Sequence, residues 1–111
     1  MPTHHRVVLC TCPDGETATA IARMLVERRL AACVNVVPGL TSVYRWRGRV
    51  ETDREALLVI KTTAAALPAL TAAVRERHPY ELPEIVAVGV EDGLEEYLKW
   101  VDESVAAGSR G

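Results

Sequence analysis

An α+β fold built on one antiparallel sheet is what the sequence predicts, and three observations lead to it. Segments of strand character and segments of helical periodicity follow one another in the order β, α, β, β, α, β, α. The two middle strands are joined only by "RGR", a tight turn, so they pair as a hairpin. The 111 residues are 49% hydrophobic and 25% charged, dominated by Ala, Val and Leu with no Phe, as expected of one soluble domain with a core of small, branched side chains.

Each element has its own warrant. "RVVLCTC" is a continuous apolar run bounded by Pro13, the pattern of a strand buried on both faces. Asp14 then stands where it can cap a helix in which Ala18, Ile21, Ala22, Leu25 and Val26 recur at helical spacing, and Arg28 and Arg29 in the last turn suit the negative end of its dipole. From Ala32 to Trp46 the chain reads as extended, with Pro38 and Gly39 marking a bulge or bend rather than a break. The second long strand, Val50 to Thr63, alternates at first and becomes wholly apolar at "ALLVI", which buries the root of the hairpin and leaves its tip charged. A second helix carries Pro68 in its first turn, where a missing N–H does no harm, shows Leu67, Leu70 and Val74 on one side and stops at Pro79. "EIVAVGV" is a fourth short strand, after which Asp92 caps a last helix striped by Leu94, Tyr97, Leu98, Val101 and Val105.

This order is the ferredoxin-like split βαβ pattern (βαββαβ) with an extra C-terminal helix, in one domain over residues 1–111. The first few residues and the tail "AAGSRG" are expected to be mobile. At roughly 14 residues each, the central strands are more than twice the usual length, so their outer halves form a long projecting hairpin. That hairpin would expose Val43, Tyr44, Trp46 and Val50 and an unpaired strand edge, which predicts that these four residues meet other copies of the chain. Arg45, Arg47, Arg49 and Arg54 crowd the same hairpin, with Glu51, Asp53 and Glu55 available to pair with them.

Several function classes recede. A formal net charge of −2 and a pI near 5.9 give no general attraction to nucleic acid. No apolar run approaches the roughly 20 residues that span a bilayer, and "MPTHHRVVLC" is not a secretion signal, so a cytoplasmic protein without membrane insertion is expected. Cys10, Cys12 and Cys33 are an odd set, read as reduced thiols, and Cys-Thr-Cys lacks the spacing of a structural zinc site. There is no G-x-S-x-G elbow, phosphate-binding loop or His pair four residues apart, so neither an enzyme nor an organic cofactor is expected. The pair His4–His5 reads as an adventitious metal binder in a loose N-terminus.

Five segments in register, "VVLCTCPD", "LAACVNVVPG", "SVYRWRGRVE", "LLVIKTT" and "HPYELPEI", resemble those of the CutA divalent-cation tolerance proteins, from about Val7 to Trp100. The resemblance implies a ferredoxin-like protomer, a homotrimer made by edge pairing of long strands, a link to tolerance of copper and other divalent cations, and no established reaction. It also implies Cys10 and His78 as copper ligands, weakly binding copper or another divalent cation; sulfur favours Cu(I), and imidazole suits either copper state. Where some members have a second histidine before the HPY motif, this chain has Arg77. Glu84 or Glu81 is placed to add an oxygen, and Cys12, on the same strand face as Cys10, a second sulfur. In "RERHPYELPEI", Pro79 and Pro83 serve the connection, and the chemistry rests on His78 with Glu84 behind it. The alternative is a trimeric signalling or small-ligand-binding module resembling nitrogen-regulatory proteins in architecture. The short "RGR" turn argues against their flexible target-contacting loop.

Overall fold

A computed structural model describes residues 3–106. The elements run β1 (His5–Cys12), α1 (Gly15–Glu27), β2 (Cys33–Trp46), β3 (Arg49–Thr63), α2 (Leu67–Arg77), β4 (Val86–Gly89) and α3 (Glu95–Ser104), in the predicted order. All strand pairs are antiparallel and the sheet order is β2-β3-β1-β4, the ferredoxin-like arrangement.

Strand alternation divides the sheet into two unlike faces. Val8, Cys10 and Cys12 of β1 and Ala56, Leu58 and Ile60 of β3 point to one face and are sealed there by Ile21, Leu25, Leu70 and Val74 of α1 and α2. Val7, Leu9 and Thr11 point the other way and are only half-buried. The expectation that β1 is buried on both faces is therefore corrected. α3 covers only one end of that second face, where His5 and Thr63 are buried, and the rest of it lies open in the protomer.

The long hairpin projects as its length requires. β1 pairs with β3 only from Ala56 to Thr63, so the segment from Leu40 to Glu55 is a ribbon of two strands without a third. At about 3.4 Å per residue this overhang reaches roughly 20 Å past the sheet. Pro38 and Gly39 supply the bulge: the register slips between Val37 and Leu40, at the row where Cys12 pairs with Ala56 and β1 ends. Gly39, at φ +72°, takes a left-handed conformation that few residues other than glycine adopt readily. At the tip, Arg47 and Gly48 both have positive φ, the pattern of a type I′ turn.

Several local expectations shift. Asp14 does cap α1, accepting from Thr17 N–H at 2.7 Å. Arg28 and Arg29, however, lie past the end of α1, and the guanidinium of Arg29 donates to Glu103 O and Ser104 O, closing the last turn of α3 instead. α3 starts at Glu95 after Leu94, two residues later than a cap at Asp92 would give, because the Asp92 carboxylate is used on Gly93 N–H. The fourth strand is Val86–Gly89, shorter than "EIVAVGV", since only these four residues reach β1. Thr3–His5 are ordered rather than loose: Thr3 N–H donates to Val90 O and His5 opens β1. Of the tail, Ala106 donates to Arg29 O, while 107–111, like residues 1–2, lie outside the described residues.

Candidate metal centre

Period-two alternation puts Cys10 and Cys12 side by side on the helix-covered face of β1, both fully buried. His78 reaches them from the far end of α2. Helix α2 stops at Arg77 because Pro79 forbids the α conformation at His78, whose backbone turns extended and whose ring then points inward at 7% exposure. Ligand atoms of Cys10, Cys12 and His78 lie within 4.8 Å of one another. Cys10 and His78, expected together across the sheet, are thus adjacent, with Cys12 completing the group.

Both ring nitrogens of His78 are engaged. Nε2 lies 2.8 Å from Thr11 O, an acceptor only, and Nδ1 accepts from Tyr80 N–H at 3.1 Å, so the neutral ring carries its proton on Nε2. The histidine therefore ties the loop after α2 to the end of β1 rather than capping its own helix. Tyr80 tilts against the imidazole, with ring centroids 4.7 Å apart. Among the thiols, the hydrogen bond with Cys12 and then burial push Cys10 well above the ordinary thiol range, while the same bond holds Cys12 down. An ion entering here must displace protons to reach sulfur.

The acidic residues sit apart from the sulfurs. Glu84 is exposed on the wall of an adjoining cavity of about 690 Å³, where its charge still helps raise Cys10. Glu81 is exposed and 3.4 Å from Arg47, the one ion pair at the hairpin among the described residues. The hairpin's own carboxylates pair with no arginine among the described residues: Asp53 accepts from Tyr44 Oη, and buried Glu55 accepts from Tyr80 Oη at 2.6 Å. Arg77 is exposed beside a smaller cavity against α1.

Sequence reasoning missed the Glu55–Tyr80 pair. The available signal was a glutamate directly before the apolar run of β3, too close to the core to be an ordinary surface charge. Burial first, and then the bond to Glu55, raise the Tyr80 phenol, so it stays a donor. Tyr80→Phe is expected to leave a buried carboxylate without its partner and to cost about 1–3 kcal/mol. Denaturant unfolding measures this, and an unchanged midpoint would remove the pair from any structural role.

Three buried soft or borderline donors suit copper better than a hard cation such as magnesium. Comparisons with known proteins agree with the cation theme. Residues 6–104 match the sequence profile of the CutA1 divalent ion tolerance protein family. The divalent-cation tolerance protein CutA of Thermus thermophilus is 56% identical over 98 residues, covering 88% of this chain and 95% of that protein. Human protein CutA is 53% identical over 91 residues, 82% of this chain but 51% of that protein, so the chain spans about half the length of this relative. Among solved structures, the Thermus thermophilus protein superposes with a TM-score of 0.90 at 54% identity, covering 92% of this chain and 99% of that one. CutA1 from Oryza sativa gives 0.92 at 42% identity, covering 96% and 97%. Relatives named for the chloroplast and the periplasm occur in the same set. With the fold, the motifs and a profile over residues 6–104 in agreement, this chain belongs to the CutA1 divalent ion tolerance protein family.

Proposed function

We propose that this chain is a non-catalytic, homotrimeric, metal-responsive protein of a reducing, cytoplasmic compartment that takes copper, as Cu(I), or a similar ion through Cys10, Cys12 and His78. The observation that carries the reading is the convergence of two thiols and an imidazole within 4.8 Å. Sulfur from Cys10 and Cys12 forms the primary donor pair. His78 joins when its Nε2 gives up the Thr11 carbonyl, and Glu84 acts from the rim by charge. Assembly is supported by surfaces that water disfavours: Val43 at 67% and Val50 at 64% exposure on one face of the ribbon, Tyr44 and Trp46 on the other, and Val86 and Val88 on the open face of the sheet. β2 is besides an edge strand of 14 residues with one side unpaired.

Competition of the reduced full chain with a chromophoric Cu(I) chelator tests the metal reading. One ion retained per protomer is expected, and no retention overturns it. A small-ligand-binding role is the second reading, favoured by the cavity of about 690 Å³ between Tyr44, Trp46, Glu55 and Tyr80, a size that suits a small molecule.

A further inference from the structure

The ordered N-terminus builds a second cluster far in sequence from the first. His4 Nε2 lies 2.7 Å and His5 Nε2 2.9 Å from the same atom, Asp102 Oδ1 on α3, and the two rings stack with centroids 4.1 Å apart. The Leu98 carbonyl oxygen joins the cluster as a further acceptor, 3.1 Å from His5 Nε2. His5 is held from behind: Thr3 Oγ1 donates its proton to Val90 O, so at 3.1 Å it accepts from His5 Nδ1–H. That bond fixes the ring with Nε2 toward the cluster, as outer-shell partners do for metal-bound histidines. Nε2 then faces only acceptors, Leu98 O and Asp102 Oδ1, a position that either a second proton or a cation can occupy.

We propose that His4, His5 and Asp102, with the Leu98 carbonyl, form a binding site for a borderline divalent cation such as Zn2+. The donor set is two nitrogens and two oxygens, without sulfur, and it suits a divalent ion rather than Cu(I). A tetrahedral zinc with bonds near 2.0 Å holds its donors roughly 3.3 Å apart, so the observed contacts need open by about half an ångström or less for His5 and slightly more for His4. His4 is exposed and free to make that adjustment, and the exposed carboxylate gives the ion a path from water.

This site is independent of the Cys–His reading, and one experiment separates them. Zn2+ is titrated calorimetrically into the full chain, with Co2+ absorption as a second readout. One Zn2+ per protomer should bind to the Cys10→Ser, Cys12→Ser variant as tightly as to the parent. His4→Ala and Asp102→Asn, both at exposed positions, should each weaken it at least about tenfold with unchanged circular dichroism. In the double-serine variant, bound Co2+ should show nitrogen- and oxygen-ligated absorption that is lost on His4→Ala. Affinity indifferent to His4→Ala, or loss of binding in the double-serine variant, would each overturn the proposal.

Discussion

Replacing Cys10 and Cys12 together by serine is expected to weaken Cu(I) binding by more than about 100-fold, a loss of about 2.7 kcal/mol or more. Serine oxygens are hard donors that do not replace thiolate toward a soft ion. Their shorter side chains sit on the same buried face of β1, so the readout is ligand chemistry before it is packing. His78→Ala should cost less, about tenfold, because the ring is already committed to Thr11 O and Tyr80 N–H and contributes only after breaking the first of these bonds. Glu84→Gln should change affinity by no more than about twofold, since an exposed carboxylate acts there through screened charge. The order, double serine far above His78→Ala above Glu84→Gln, is the informative result. Competition with a chromophoric chelator under reducing conditions gives it, and undiminished affinity in the double-serine variant would remove the sulfurs from the site.

That ranking depends on contacts of two kinds, only one of which local sequence pattern carries. Cys10 and Cys12 share a face because a strand has period two, and Pro38–Gly39 marks the bulge because proline has no N–H to lend and glycine tolerates φ +72°. Such features follow from neighbours along the chain. The bond from His78 to Thr11 O spans 67 positions and that from His5 to Asp102 spans 97, and both depend on how helices α2 and α3 are set against the sheet. No periodicity encodes those placements. Arg29 makes the same point: local reading assigns it to its own helix end, yet it serves the carbonyls of α3 because the ends of α1 and α3 meet there. His4–His5 looks loose in the sequence for the same reason, its partner being 97 or 98 residues away. The extent of β1 burial escapes the sequence for a different cause: an apolar run does not say whether its second face is covered by its own chain or by another.

The second large effect is expected on the projecting ribbon of β2 and β3. Val43→Asp combined with Val50→Asp should convert a trimer of three 12.1 kDa chains into monomers at micromolar concentration, read as mass by light scattering. Both valines are mostly exposed in the protomer, so each carboxylate stays hydrated there and the fold should hold, with circular dichroism unchanged. In a trimer closed over the ribbon the same groups would be desolvated. An unpaired buried carboxylate costs several kcal/mol, and the cost is repeated in every subunit, which exceeds what loss of two valine contacts alone would produce. The nearby arginines limit the penalty only where they can reach: Arg45 and Arg54 share this ribbon face, whereas Arg49 lies on the other with Trp46. A parental chain that already weighs 12.1 kDa would sink the assembly reading. A double-aspartate chain that stays trimeric would place the contact on the other ribbon face, with Tyr44 and Trp46, or on the open sheet at Val86 and Val88.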